Sequence, residues 1–339
     1  MALTCDPNPL NNQKILIFRP DHLGDMLLTT PAIYALRQTY PEAHISVLAG
    51  SWATSILKGN PDLNEIIPCN LPWLDRTGHP SWQPLPKAIA HIRAQKFDHI
   101  FNFRVAAKAA AFSRLLGGKQ RWGFNVAKSA WAWNNKVSFD PTRHVVDNYM
   151  ALMHAAGVNQ APVQFRIFPE TEDLSPIDQL LTNLPPAIVL GITSGRPDKA
   201  WMPERWASVA DHIAEKGFQI LLNGGPSDGA EIEAVKTHMK HQAISLVGKF
   251  SLLQFAGLLK RCRAMITIDS FPMHVSAAVE IPTIAIMGAN SSQQWGPYPG
   301  TYPRIVVEPP PEVPRDDKAM ATIPTSHVID AFDSFNLSA

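Results

Sequence analysis

Short apolar runs alternate along this chain with longer stretches whose apolar residues recur every three or four positions. In the first half the runs are Lys14–Arg19, His44–Ala49 and 99–103. In the second half they are 187–192, 218–222, Ala264–Ile268 and 283–287. Residues 24–40 carry Met26, Leu27, Ile33 and Leu36 at helical spacing, and 203–216 and 252–261 read as helices too. This alternation predicts βαβ units and parallel sheets. Runs that are apolar on both faces suit strands covered by helices on both sides, which makes the fold class α/β and doubly wound.

The pattern lapses over 159–186, which holds several prolines and the acidic stretch PETEDLSP and reads as a linker between two similar halves. A chain of 339 residues also suggests two domains. Residues 71–86 and 309–314 read as Pro-rich loops, and 325–335 as a short terminal helix.

Composition narrows the class. Hydrophobic residues make up 45% and charged residues 17%, enough for an ample core. Thirty Lys and Arg stand against 29 Asp and Glu, so the net charge of +1 argues against a dedicated nucleic-acid binder. That average hides an uneven distribution. Residues 104–143 hold eight cations and one acid, a local charge of +7, together with Trp122, Trp131 and Trp133. This segment reads either as a solvated basic face or as a surface for an anionic partner. Cys5, Cys69 and Cys262 are too few and too scattered for a disulfide framework or a metal site, which suits a reducing compartment. No signal peptide or membrane span is legible, so a soluble, cytosolic chain with at most peripheral membrane contact is expected.

In doubly wound sheets ligands bind beyond the carboxyl ends of the strands, so the loops just after the strands are the candidates. The first holds Asp21, His22 and Asp25. Either aspartate could cap the next helix, and either could act as a general base. The second runs from Thr193 and Ser194 to Arg196 and Lys199. It is either a polar turn or a phosphate site of hydroxyls and cations. The third holds Asp269, Ser270 and His274, with Pro272 marking the first turn of a helix whose N-terminus would attract an anion. Asp269 as a cap and His274 as a buried structural histidine are the plain alternatives. Gly224 and Gly225 allow a close approach to a ligand or simply a tight turn. Dinucleotide and P-loop fingerprints are absent, as is any Asp-x-Asp pair for a metal-bound diphosphate.

The stretch KILIFRPDHLGDMLLTTPAIYALRQTYPEAHISVLAG resembles the N-terminal signature of glycosyltransferase family 9, the ADP-heptose:lipopolysaccharide heptosyltransferases. GITSGRPDKAWMPERWASVADHI, LLNGGPSD and the segment from SLLQFAGLLKRC to SSQQWGP resemble the C-terminal half of that family, in order and spacing. The resemblance implies a GT-B architecture of two Rossmann-like domains facing across a cleft. The domains would be an acceptor-side domain over 1–165, a linker over 166–185 and a nucleotide-sugar domain over 186–322. Residues 323–339 would form a helix crossing back to the first domain.

The resemblance further implies an inverting, metal-independent transfer with no cofactor beyond the nucleotide-sugar substrate. Asp25 would be the catalytic base and Lys199 would stabilise the leaving group. Thr193, Ser194, Lys199, Gly224, Gly225, Asp269, Ser270 and His274 would bind the donor. Asp21, His22, Lys108, Arg114 and Arg121 would face an anionic glycolipid acceptor at the inner membrane face. Phe271 stands where the family pattern has glycine, a residue that permits positive φ. That departure motivates two alternatives, a relative using another nucleotide-sugar or a nucleotide-sugar-binding protein without catalysis.

Overall fold

A computed structural model describes residues 10–75 and 80–339. The chain divides into two compact units, Met1–Phe168 and Pro169–Ala339.

The first unit is built on β1 (Lys14–Arg19), β2 (His44–Ala49), β3 (Glu65–Pro68), β4 (His99–Asn102), β5 (Gln120–Phe124) and β6 (Asn135–Val137). All pairings are parallel, in the order β3-β2-β1-β4-β5-β6. The helices are α1 (Leu23–Leu27), α2 (Thr30–Thr39), α3 (Leu85–Ala94), α4 (Ala107–Leu115) and α5 (Val145–Ala155). Ile15, Leu16, Ile17 and Phe18 of β1 are all fully buried, as a central strand covered on both faces requires.

The single helix expected over 24–40 is two. Pro31 has no N–H to donate to the carbonyl of Leu27, and the Thr30 hydroxyl takes that carbonyl instead at 2.7 Å. The expected loop over 71–86 is not wholly superficial. Leu71, Leu74 and Leu85 join the core beneath β1 and β4, and Leu85 opens α3; residues 76–79 lie outside the described residues.

The second unit carries β7 (Ala187–Gly191), β8 (Gln219–Asn223), β9 (Ala243–Ser245), β10 (Ala264–Ile268), β11 (Thr283–Ile286) and β12 (Arg304–Val307). Their parallel order is β12-β11-β10-β7-β8-β9. Around them run α6 (Ser175–Leu181), α7 (Pro203–Glu215), α8 (Gly229–His238), α9 (Leu252–Leu259), α10 (Phe271–Ala278), α11 (Ser292–Trp295) and α12 (Thr325–Ser334).

The stretch read as a linker holds α6, with Ile177 fully buried, and Gly257 of α9 lies close against Leu174 and Pro169. The terminal helix α12 packs within the second unit. Its Val328, Ala331 and Phe332 join the core of the second unit, and its Asp333 is bound by His212 of α7 and by Lys216, which caps that helix, each at 2.9 Å.

Candidate active site

A doubly wound sheet opens a crevice where the strand order reverses, because the loops on either side of that point leave in opposite directions. In the first unit the reversal lies between β1 and β4, and in the second between β7 and β10. The loops that follow these strands carry most of the residues singled out from the sequence.

In the first unit everything is organised by Arg19, the last residue of β1. Its guanidinium is buried and donates to the Phe103 carbonyl at 3.0 Å, to Asp25 Oδ1 at 2.8 Å and to the Tyr149 hydroxyl at 2.5 Å. It also lies 5.1 Å from the centroid of the Tyr149 ring, and its Nε is 3.5 Å from Asp21 Oδ2. The other oxygen of Asp21 pairs with Arg104. Arg104 is set by the turn after β4, where its backbone N–H donates to Asn102 Oδ1 at 2.7 Å.

Two guanidinium groups and two carboxylates therefore compensate one another in a largely dry setting, which is the condition for burying charge at all. Burial pulls the Arg104 pKa down, and the like charge of Arg19 acts in the same direction. Burial pushes the Tyr149 phenol well up, so it stays protonated.

The two aspartates thus separate. Asp21 is buried between two arginines. Asp25, in the first turn of α1, keeps a quarter of its side chain exposed and has one oxygen clamped by Arg19. Neither caps α1; His22 is the N-cap residue, without a side-chain cap bond, and its ring lies tilted against Trp52 with centroids 6.4 Å apart. Of the cations assigned to the acceptor side, Lys108 and Arg114 are exposed on α4. Arg121 is instead tied to the backbone carbonyls of Ala132 and Gly118, each at 3.0 Å, and braces its own loop.

In the second unit, Lys199 and Asp269 meet. The ammonium lies 2.8 Å from Asp269 Oδ2, and both side chains are largely buried. Asn290 donates to the same oxygen at 2.6 Å. Asp269 is therefore neither a cap nor a solvated acid, and Lys199 is not a solvated cation. The Ser194 hydroxyl accepts from the Arg196 N–H at 3.0 Å, closing a small turn beside Thr193. Arg196 is engaged by Asp198, with Nε 3.0 Å from Oδ1.

Ser270 is the N-cap residue of α10 in extended conformation, with no side-chain cap bond, so the first N–H groups of the helix are not capped by its hydroxyl. His274 is buried in that helix with 6% of its surface exposed. Phe271 takes the first helical position and is not among the positive-φ residues, so the left-handed freedom of glycine is not needed there. Gly225 donates its N–H to Asp228 at 2.8 Å, and a Cβ on Gly224 would stand 3.1 Å from that of Asp228. These two glycines make a tight turn closed by its own aspartate.

Arg104, Tyr149 and Asn290 escaped the sequence reading as site residues. Arg19 was read as the end of an apolar run. The signal for Asn290 was its place just after a strand; none marked Tyr149, which lies 130 residues from its partner Arg19. Among the described residues no three His, Cys, Asp or Glu side chains group as metal ligands. Cys69 and Cys262 are buried free thiols, pushed up by burial to about 11 and about 12, while Cys5 lies outside the described residues. No described helix is long and apolar enough to cross a membrane.

Comparison with known proteins identifies the family. The sequence model of glycosyltransferase family 9 (heptosyltransferase) matches residues 86–318. Lipopolysaccharide heptosyltransferase 2 of Salmonella typhimurium is 28% identical over 298 residues, covering 82% of this chain and 83% of its own length. Lipopolysaccharide heptosyltransferase 3 of Escherichia coli is 25% identical over 331 residues, covering 91% and 94%. The crystal structure of a family 9 glycosyltransferase from Veillonella parvula superposes with a TM-score of 0.83 at 25% identity, over 96% of this chain and 97% of that one. Escherichia coli ADP-heptose lipopolysaccharide heptosyltransferase II, at 22% identity and a TM-score of 0.76 over 95% and 98% of the two chains, shares the two-unit GT-B type fold. With a family match spanning most of its length and charged sites at both strand-order reversals, the chain belongs to glycosyltransferase family 9 and is a glycosyltransferase.

Proposed function

We propose that this enzyme moves a heptose from ADP-heptose onto a lipopolysaccharide-core acceptor by a single inverting displacement that needs no metal. The curated relatives are lipopolysaccharide heptosyltransferases, and one structural neighbour, Escherichia coli WaaC, is described with ADP-2-deoxy-2-fluoro heptose. The observation that carries the reading is Asp25. One of its oxygens is fixed by Arg19 while a quarter of the side chain stays open to solvent.

In this mechanism Asp25 accepts the proton of the acceptor hydroxyl as that oxygen bonds to the anomeric carbon. The bond to the nucleoside diphosphate breaks on the opposite face. Lys199 and the N-terminal N–H groups of α10 stabilise the negative charge gathering on the leaving phosphate. Thr193, Ser194, Asp269, Ser270 and His274 complete the donor site. Gly224 and Gly225 act through the turn that they form. Lys108 and Arg114 attract the phosphates and carboxylates of the acceptor, a glycolipid met at the cytoplasmic face of the inner membrane. Asp21 and Arg121 support this side from beneath, and His22 borders Asp25.

The donor preference is tested by thermal shift with ADP, UDP and GDP and their sugars. A ligand that binds only the native state raises stability by RT ln(1 + [L]/Kd), about 2.7 kcal/mol at a hundredfold excess over Kd. ADP and ADP-heptose are expected to give the largest shifts. A larger shift with a UDP- or GDP-sugar overturns the donor assignment. Release of ADP coupled to a heptosylated acceptor is the matching test of transfer.

A further inference from the structure

The large hydrophobic side chains that stand exposed are not scattered. Among the described residues they are Trp82 (63% exposed), Val105 (39%), Leu115 (53%) and Trp131 (54%), all in the first unit. Single exposed apolar residues are ordinary, but gathered ones mark a surface with a partner.

Three of the four, Val105, Leu115 and Trp131, lie along or beside α4. Val105 precedes it and Leu115 ends it. Trp131 sits in the short turn 130–132, which packs on α4 through Ala132, Trp133 and Ala110. Trp82 is linked to α4 less directly: its ring is tilted against Trp73 at 5.9 Å, and Trp73 meets the buried Phe112 of α4 edge-on at 5.8 Å. Lys108, Ala111 and Leu115 follow the i, i+3, i+7 spacing of one helix face. Lys108, Arg114 and Lys128 are exposed within the segment whose net charge is +7; the Lys128 carbonyl accepts from the Trp131 indole at 3.3 Å, and the charge of Arg114 acts on Arg121, which donates to the Ala132 carbonyl beside Trp131. Trp122 and Trp133 of the same segment are accounted for by packing, on Phe101 at 5.6 Å and in the core beside Gly123. Trp131 is not.

We infer that the surface formed by α4 and the turn bearing Trp131 docks on an anionic lipid bilayer. Aromatic and aliphatic side chains enter the headgroup layer while lysines and arginines meet the lipid phosphates, the pairing that holds a protein in a membrane interface. The inference rests on the proposed membrane-resident acceptor and names the surface that brings the enzyme to it. The charge selects the occupant, since an apolar protein partner would not call for interleaved cations.

The test is co-sedimentation of the full chain with vesicles of phosphatidylglycerol and phosphatidylethanolamine, and with phosphatidylcholine alone, in the absence of donor and acceptor. The wild type is expected to bind the anionic vesicles, to release with salt and to ignore phosphatidylcholine. Leu115→Ser/Trp131→Ser should lose most of that binding, and Lys128→Glu should weaken it about fivefold or more. Melting temperature and ADP affinity, measured on the same preparations, should match the wild type. Equal binding to both vesicle types, undiminished binding by the double variant, or a wild type that dimerises and ignores vesicles overturns the inference. Loss of ADP binding by the wild type would instead strike the transferase reading and leave this one standing.

Discussion

Arg19 holds Asp25 with one arm of its fork and Tyr149 and Phe103 with the rest, a geometry that a lysine cannot reproduce. Arg19→Met leaves Asp21 and Asp25 short of a buried partner. It should cost about 3–5 kcal/mol in urea denaturation, the usual result of breaking a buried pair from one side. Arg19→Lys, which keeps the charge, should fold more stably than Arg19→Met. It should lower kcat while leaving the affinity for ADP unchanged, because Asp25 loses its fixed oxygen and the donor site is untouched. In the donor site, Lys199→Ala removes one preorganised cation from the leaving group and is expected to lower turnover by about 10²–10³. It should also weaken ADP binding in calorimetry; unchanged affinity would take Lys199 out of the site. Asp25, Lys199 and Asp269 were legible in the sequence because charged residues crowd loops that directly follow apolar runs. The clamp was not. Arg104 looked like one of eight cations in a basic segment, and Tyr149 like a core aromatic of α5.

At the scale of elements, the strands at the middle of each sheet were readable, whereas the edge strands and β5, which opens with Gln120 and Arg121 and is partly exposed, were not. β1, β7 and β10 are covered on both faces and read as apolar runs. β3, β6, β9 and β12 lie at the sheet edges, where Glu65, Lys136 and Arg304 face partly to solvent and break the pattern. The helix α10 bears on the departure from the family pattern at Phe271. Since Phe271 occupies the first helical position without positive φ, glycine would relieve no strain there. Phe271→Gly is expected to destabilise the second unit by about 0.5–1 kcal/mol in thermal melting. A clear gain in stability would show that the phenylalanine is strained and would revive the reading in which this site has drifted from catalysis.

On the scale of the whole molecule, the near-neutral composition conceals a division of labour. The first unit carries the clamped carboxylate and the exposed cations of α4, and the second carries Lys199 against Asp269 and the uncapped first turn of α10. Both sites lie where the strand order reverses, which follows from topology and could be anticipated once the alternation of strands and helices was read. In the proposed mechanism Asp25 is the base of a glycosyl transfer. Its most direct test is turnover of Asp25→Asn with ADP-heptose and acceptor, set beside its affinity for ADP. A fall of about 10²–10⁴ in turnover with an unchanged ADP Kd is the expected result; near-normal turnover would contradict the account.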